Sequence, residues 1–236
     1  MNEFSKTPRL FIEAGCSLGE TLSLSKEQGH YIQNVLRLST KDPIRVFDGC
    51  HGEFLAHITK PGKEVFIEIK SLLRPHILSN GPWLFFSPLK KNAMDFLIEK
   101  SVEIGVSRLC PVVMDRTIVR TIHREKIRAH IIEAAEQCER LDIPEIMPII
   151  SFESLLKNIP KDRVFYFCQE RASAPHIASL SHSKSCAALI GPEGGFTPKE
   201  TDLLLKNPQA HPISLGKNIL RAETAALYTL SHLTEH

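Results

Sequence analysis

The sequence predicts a mixed α/β protein made of a small β domain, residues 1–74, and a larger α/β domain, residues 75–236. Hairpin signals crowd the first segment, whereas strand-like and helix-like segments alternate in the second. Pro and Gly residues at Arg74-Pro75 and at Asn80-Gly81-Pro82 mark a connector between them. The alternation predicts a parallel sheet flanked by helices in the C-terminal domain.

The N-terminal domain is predicted to be an antiparallel β module interrupted by one helix. Asp48-Gly49 is typical of a hairpin turn between strands. A helix is predicted to start near Ser25, because Ser is a favoured N-cap and apolar residues then recur at helical spacing. The strand-like runs occupy 44–47, 54–58 and 65–69.

The C-terminal domain is predicted to contain five strands and four helices. Thr197 and Glu200 form a capping-box pattern with Pro198 at the first helical position, so a helix should begin there. The predicted strands occupy 83–86, 109–114, 164–168, 187–190 and 212–215. The predicted helices occupy 91–104, 124–140, 198–206 and 219–233.

Composition limits the class of protein. The chain has 236 residues, 42% of them hydrophobic, and 29 basic against 27 acidic side chains, so it is neither disordered nor a polycation. Its six cysteines are scattered without a C-x-x-C pair, which argues against zinc and against a disulfide scaffold. The sequence shows neither an apolar leader nor about 18 consecutive apolar residues. We therefore expect a cytoplasmic protein with no membrane span and no metal.

Two glycine-containing loops are the most informative part of the sequence. The first covers 189–196 and the second 214–225, and each follows a strand-like run and leads into a predicted helix. Glycine permits positive φ angles and a close approach of backbone to a ligand. Neither loop has the G-x-G-x-x-G spacing or the Lys-Ser/Thr of a P-loop, so phosphate binding is not favoured. Either loop alone is also consistent with a tight turn in which Gly and Pro have only backbone roles.

The two loops, in this order, resemble the cofactor loops of the α/β-knot (SPOUT) RNA methyltransferases. Nearly the whole chain is similar to one branch of that class, the 16S rRNA uracil-N3 methyltransferases. The further motifs that carry the likeness lie at 30–37, 87–90, 94–106 and 133–140. One departure is Gln169, at a position where the family often has His.

The resemblance implies a C-terminal SPOUT domain with a parallel sheet and a deep trefoil knot, preceded by a small PUA-like β-barrel that binds RNA. It also implies a homodimer that uses S-adenosyl-L-methionine to methylate 16S rRNA of the small ribosomal subunit. The cofactor contacts expected from the resemblance are Leu189, Ile190, Gly191, Pro192, Glu193, Gly194, Gly195, Ser214, Leu215, Gly216, Ile219, Leu220 and Thr224.

Arg221 and Glu223 are the candidate catalytic residues. Arg221 would stabilise negative charge on uracil oxygens as N3 loses its proton, and Glu223 would orient Arg221 or accept that proton. Alternatively, both are simply charges at a helix start, where an acidic residue is favourable. Glu193 is equally a second candidate base or a ligand for backbone amides. Thr224 is a helix cap or a contact to the cofactor carboxylate.

The candidate RNA surface is basic. The segment from Arg108 to His130 contains six basic and two acidic residues. Its net positive charge is larger than the net charge of +2 of the whole chain. Charge runs are also often just solvated faces. On the N-terminal module, Tyr31 is available to stack on a base. The residues assigned to RNA are Arg9, His30, Arg37, Arg45, Arg116, Arg120 and Arg124.

The leading functional hypothesis is N3 methylation of a specific uridine in 16S rRNA. A second hypothesis keeps the fold and cofactor but moves the target to another rRNA or tRNA position, since fold alone does not fix the substrate. A third is a non-catalytic RNA-binding factor for ribosome assembly. The last is a generic nucleotide-binding α/β protein.

Overall fold

The computed structural model describes residues 4, 7–60, 62, 64–77, 79–169, 174–180 and 185–234. They form two compact units, the first from Met1–Leu78 with Ala135–Ile143 and the second from Ser79–Ala134 with Pro144–His236. The first break follows residue 78, which lies between the composition shifts at 74–75 and at 80–82. The segment 135–143 groups with the first unit although it comes from the middle of the C-terminal half.

The first unit is a five-stranded sheet in the order β1-β3-β4-β5-β2. Its neighbouring strands are antiparallel except for β1 and β3, which are parallel. The short strands β1 and β2 add to the three predicted ones. The elements are β1 (Arg9–Phe11), β2 (Thr21–Ser23), α1 (Lys26–His30), a π-helical turn (Tyr31–Val35), β3 (Pro43–Phe47), β4 (Gly52–Lys60) and β5 (Phe66–Pro75).

Local sequence accounts for the start of α1 and for the first hairpin. Ser25 caps the helix, and the side chain of Gln28 bonds back to the Ser25 amide, which completes a capping box. At the hairpin, Asp48 accepts hydrogen bonds from the amides of Cys50 and His51, and Gly49 has φ +82°. The predicted helix start and turn are therefore both present.

A buried carboxylate, Glu53, holds together three arginines of the first unit. Its side chain has no exposed surface and contacts Arg9 at 2.5 Å, Arg74 at 2.9 Å and Arg45 at 3.7 Å. Arg45 also pairs with Glu139 at 2.9 Å. Arg9 donates further to the carbonyl oxygens of Ala135, Glu136 and Arg140.

The burial of Arg9 and Arg45 corrects their assignment to RNA. Arg9 is 7% exposed and Arg45 is 5% exposed, and the guanidinium of Arg9 also stacks on Phe47 at 3.7 Å. Buried charges are normally paired in this way, because burying one alone costs several kcal/mol. Both side chains therefore serve the interior of the first unit rather than a phosphate contact.

The second unit is a parallel sheet, as the alternating pattern predicted, but it has seven strands rather than five. The order is β12-β10-β11-β6-β7-β8, and β9 pairs with β7. The elements are β6 (Trp83–Phe86), α2 (Lys91–Ile104), β7 (Arg108–Val113), α3 (Arg124–Gln137), β8 (Glu145–Ile146), β9 (Ile150–Ser151), α4 (Phe152–Lys157), β10 (Val164–Cys168), a 3-10 turn (Ile177–Ser179), β11 (Cys186–Ile190), α5 (Pro198–Lys206), β12 (Ala210–Ile213) and α6 (Ala222–Leu233).

The core of this unit fixes the strands whose ends form the site. All five residues of β11 are buried, as expected for a strand covered on both faces. Phe85, Phe165 and Phe167 meet in the core, with Phe85 and Phe165 edge to face at 5.5 Å. Burying each ring contributes about 1.5–3 kcal/mol. Strand pairing alone does not trace the threading of the chain, so the trefoil knot stays a prediction.

Candidate cofactor and RNA site

A cavity of about 1210 Å³ lies at the carboxyl edge of the parallel sheet. β10, β11 and β12 run parallel in register, so Cys168, Ile190 and Ser214 reach the same edge. Ligands bind at this edge in open α/β sheets. Both glycine loops line the cavity, as do residues 168–169, His176, the start of α2 and the start of α6.

The first loop needs its glycines for space and for backbone angles. A Cβ at Gly191 would lie 3.3 Å from the ring of Phe196, and Gly195 has φ +68°. The amide of Gly195 donates to the carbonyl oxygen of Pro192 at 2.8 Å, which closes a tight turn. The loop therefore follows a compact path that larger residues would disturb.

The predicted capping box anchors the far end of this loop. Thr197 accepts from the amide of Glu200 at 3.3 Å, and Glu200 accepts from the amide of Thr197 at 2.8 Å. Glu200 is 3% exposed, and its other oxygen accepts from the amide of Asp115 at 2.9 Å. One carboxylate thus ties the start of α5 to the segment that follows β7.

The second loop is held by a segment that sequence reasoning did not identify. Ser214 donates its amide to Pro175 at 2.9 Å and accepts from the amide of Ile177 at 3.0 Å, which extends the sheet beyond β12. Gly216 has φ +114°, and its amide donates to the Ser214 hydroxyl at 3.3 Å. His176 of the same segment lines the cavity.

Arg221 and Glu223 both line the cavity at the start of α6. Arg221 is the N-cap residue, is exposed, and makes no side-chain capping bond. A cation at a helix N-terminus is unfavourable for the helix dipole, so helix stability does not account for Arg221. Glu223 lies in the first turn, where a carboxylate is favourable. The cavity thus brings together the two side chains that the sequence nominated for chemistry.

Most predicted cofactor residues line the cavity, but two do not. Leu189 is fully buried in the core cluster of the sheet. Thr224 is exposed and lies outside the cavity lining. Leu189 packs behind the loop because both faces of its strand are covered, and Thr224 follows the helix onto a solvated face. The cofactor contacts of these two residues stay predictions; the other eleven residues are at the cavity wall.

Several cavity residues were missing from the predicted set. Lys217 and Asn218 lie inside the second loop, and Gln169 follows the end of β10. Their positions in the sequence could therefore have identified them as cavity residues. His176 carried no such signal. The remaining additions are Lys90, Ala93, Cys168, Phe196, Thr201, Ala222 and Ala225. Glu170 and Arg171, which follow Gln169, lie outside the described residues.

The predicted RNA residues that stay at the surface occur in both units. His30 and Arg37 are exposed in the first unit, and the side chain of Asn34 contacts His30 at 2.9 Å. In the second unit, Arg120 donates to the carbonyl oxygen of Asp115, and Arg124 donates to that of Ile146. Arg116 differs from these, because it lines the cavity.

The cavity offers no activated thiol. Burial raises the pKa of Cys168 to about 12, against a smaller opposing effect of the Thr229 hydroxyl, which lies 3.3 Å from the sulfur. Over the described part of the chain, His, Cys, Asp and Glu side chains form no group of three suited to a metal. The helices described there include none long and apolar enough to span a membrane.

Comparison with known proteins identifies the two parts of the chain. Residues 80–234 match the RNA methyltransferase domain family, and residues 24–70 match the RNA methyltransferase PUA domain. Ribosomal RNA small subunit methyltransferase E of Rickettsia conorii is 30% identical, over 97% of this chain and 95% of its own length. The protein of the same name from Buchnera aphidicola (Schizaphis graminum) is 30% identical, over 97% of this chain and 96% of its own length.

Solved structures agree with the sequence matches. A methyltransferase of Legionella pneumophila, solved with bound S-adenosylmethionine, superposes with a TM-score of 0.87 at 29% identity over 96% of both chains. Ribosomal RNA small subunit methyltransferase E of Neisseria gonorrhoeae, also bound to S-adenosylmethionine, superposes with a TM-score of 0.85 at 30% identity over 95% of both chains. Since the family match and the relatives together span nearly its full length, the chain belongs to the ribosomal RNA small subunit methyltransferase E family, with a SPOUT domain and an N-terminal PUA domain.

Proposed function

We propose that the protein uses S-adenosylmethionine to methylate N3 of a specific uridine in 16S rRNA of the small ribosomal subunit. The observation that carries this proposal is the cavity, which both glycine loops, Arg221 and Glu223 line. Relatives over the full chain are named as small-subunit rRNA methyltransferases, and the Neisseria structure contains S-adenosylmethionine.

The residues present fit this cofactor. Gly191 and Gly194 let the first loop pack closely on Phe196 and Arg116, since a Cβ at either glycine would lie within 3.3 Å of those side chains. The cavity exceeds the roughly 300–1,000 Å³ of ordinary small-molecule sites, so it can hold a cofactor and a base together. We assign the cofactor to residues 190–195, 214–216 and 219–220, with Gln169 and His176 as further wall residues.

The chemistry is an in-line displacement, for which alignment is the main requirement. S-adenosylmethionine supplies a methyl group on a positively charged sulfur. The bond from N3 to that methyl carbon forms as the carbon–sulfur bond breaks, and the N3 proton leaves to a base. Arg221 stabilises negative charge on the uracil oxygens, and Glu223 either orients Arg221 or accepts the proton.

RNA binding is assigned to exposed cations and to one aromatic ring. Arg120 and Arg124 form a phosphate track in the second unit. In the first unit, His30 and Arg37 flank the π-helical turn, in which Tyr31 is 43% exposed and available for stacking. π-helical turns occur often at functional sites, because they reposition side chains along a helix.

We also propose that the protein acts as a homodimer in the cytoplasm, where ribosomal subunits assemble. A C2 pair would use one self-complementary surface on each copy. Sedimentation at several concentrations tests this directly. A single monomeric species at micromolar concentration would contradict the dimer without affecting the assignment of the reaction.

The decisive experiment supplies small ribosomal subunits from cells lacking the uracil-N3 modification, with S-adenosylmethionine, and quantifies methylated nucleosides by mass spectrometry. A rise in 3-methyluridine supports the proposal. A different methylated nucleoside would move the target to another rRNA position. No methylation, with cofactor binding intact, would instead favour a different RNA substrate or the non-catalytic assembly factor.

Two variants then test the assigned roles. Arg221→Ala should lower kcat by about 100- to 1,000-fold with little change in cofactor Kd, as for loss of an oxyanion-stabilising donor. Glu223→Gln keeps the shape but removes the base, and should lower kcat by about 100- to 10,000-fold if Glu223 accepts the proton. Undiminished turnover of either variant would remove that residue from the mechanism.

A further inference from the structure

The segment 114–117, directly after β7, is bonded to Ser87, which follows β6, and to Glu200 of α5. The Thr117 hydroxyl accepts from the amide of Met114 at 2.8 Å and bonds the hydroxyl of Ser87 at 2.8 Å. The amide of Asp115 donates to buried Glu200 at 2.9 Å. Thr117 is 4% exposed. The backbone that carries Arg116 is therefore fixed on both sides.

The side chain of Arg116 is engaged along its whole length. Nη1 donates to the carbonyl oxygen of Gly194 at 2.7 Å and, more weakly, to that of Phe196 at 3.4 Å. Its Cδ would lie 3.2 Å from a Cβ at Gly194, so the aliphatic stem packs directly against this glycine. Head and stem thus both rest on the first glycine loop.

These contacts immobilise one peptide plane of the loop. The plane between Gly194 and Gly195 contains the Gly194 carbonyl, bonded to Arg116, and the Gly195 amide, bonded to Pro192 at 2.8 Å. Because a peptide unit is rigid, bonding both of its polar groups fixes its rotation. Gly195 at φ +68° would otherwise have wide conformational freedom.

We infer that Arg116 is a positioning residue that holds the first glycine loop in its cofactor-binding shape, rather than a contact to RNA phosphate. This inference rests on the proposed function, since it assumes that the loop binds S-adenosylmethionine. A guanidinium is suited to the task, because its Nη1 reaches two carbonyl oxygens while the rest of the side chain packs on glycine. Lysine keeps the charge, but carries it on a flexible and strongly hydrated ammonium rather than on a planar group.

The inference separates Arg116 from Arg120, its neighbour in the basic segment. Whereas Arg116 donates to the first glycine loop, Arg120 donates to the carbonyl oxygen of Asp115. Arg120→Ala should therefore leave the affinity for cofactor unchanged and weaken RNA binding. Arg116→Met keeps an apolar stem but has no donor. It should weaken cofactor binding and leave RNA binding unchanged.

The test is calorimetric titration with S-adenosylhomocysteine, without RNA, on the full chain and on the variants Arg116→Met, Arg116→Lys and Arg120→Ala. A hydrogen bond from a charged but exposed donor predicts about a tenfold rise in Kd for both Arg116 variants. In turnover, the KM for S-adenosylmethionine should rise while the salt dependence of RNA binding keeps its slope. Rescue by lysine, or a reduced salt slope with unchanged cofactor Kd, would overturn the inference in favour of a phosphate contact.

Amide hydrogen exchange of the free protein gives a readout that needs no ligand. Arg116→Met should speed exchange at Gly195 and leave β10 and β11 unchanged, whereas unchanged exchange at Gly195 would count against the inference. If the unaltered protein does not bind S-adenosylhomocysteine, the proposed function fails. Faster exchange at Gly195 would then still show that Arg116 orders the loop.

Discussion

Replacing Glu53 by Gln should be among the most damaging single changes in the first unit. The substitution keeps the shape of the side chain but removes the only buried carboxylate within the described residues that faces Arg9, Arg45 and Arg74. Breaking a buried ion pair on one side costs about 3–5 kcal/mol, because the opposite charge stays buried without compensation. Native proteins have a total stability of about 5–15 kcal/mol, so this loss would remove a large part of it.

The same cluster predicts a pH dependence. Burial alone would raise the pKa of Glu53, but hydrogen bonds and charges from Arg74 and Arg9 outweigh this and hold the pKa below its usual range. A carboxylate whose pKa is lowered in the folded protein stabilises the fold at pH values above its pKa in the unfolded chain, about 4.3. This contribution is lost as the pH falls through the pKa of the folded state. The difference in free energy of unfolding between the unaltered protein and Glu53→Gln should therefore be largest at pH 7. It should shrink below about pH 4.3.

Glu139→Gln provides the matched control. Glu139 pairs with the same Arg45 at 2.9 Å and approaches Arg74 at 4.0 Å, but its side chain is 45% exposed. The carboxylate end of this pair is solvated, so its loss should cost well below the roughly 3–5 kcal/mol expected for Glu53. Hydrogen exchange in β4 and β5 reports the opening of the first unit, and exchange in β10 and β11 serves as an internal reference. Equal losses for the two variants would refute the reasoning from burial.

Three further predictions concern the second unit and the thiols. Replacing Arg120 and Arg124 together by Ala should weaken RNA binding, as measured by fluorescence anisotropy. The slope of log Kd against log salt concentration should fall by about 0.7 for each phosphate that is no longer neutralised. An unchanged slope would show that neither arginine contacts RNA phosphate. Gly216→Ala should strain the second loop by about 1–3 kcal/mol, because φ is +114°, and raise the calorimetric Kd for S-adenosylhomocysteine; an unaltered Kd would show that this loop adapts without cost. Exposed Cys50 should react with maleimide at pH 8 before Cys168, whose pKa is raised to about 12, and peptide mass spectrometry that finds Cys168 modified first would contradict that raised pKa.

The longer elements of the second unit could be predicted from sequence. The ranges 83–86, 91–104, 164–168 and 198–206 coincide with the observed strands and helices. Apolar runs, helical periodicity and the Thr197 capping box each signalled an element locally. The short strands β1, β2, β8 and β9 were missed, because two or three residues are too few to show a period.

Side-chain roles were harder to predict than the loops. The eleven cavity residues lie in contiguous glycine loops, so locating the loops located them. Arg9 and Arg45 look like any surface arginines in sequence, and only the distant partners Glu53 and Glu139 show that they are buried. Arg116 was placed on the RNA surface for the same reason, since its contact with Gly194 spans 78 residues of chain.

The grouping of 135–143 with the first unit has a consequence for the timing of synthesis. Arg9 bonds the carbonyl oxygens of Ala135 and Arg140, so its polar contacts are incomplete in any nascent chain that stops short of them. At about 5–20 residues per second, the ribosome needs roughly 3–13 s to proceed from residue 78 to residue 143. During that interval the N-terminal sheet carries a guanidinium without its final acceptors. The first unit therefore becomes complete only after much of the second has been translated, and a gene fragment ending at residue 78 would encode a sheet that lacks part of its own interior.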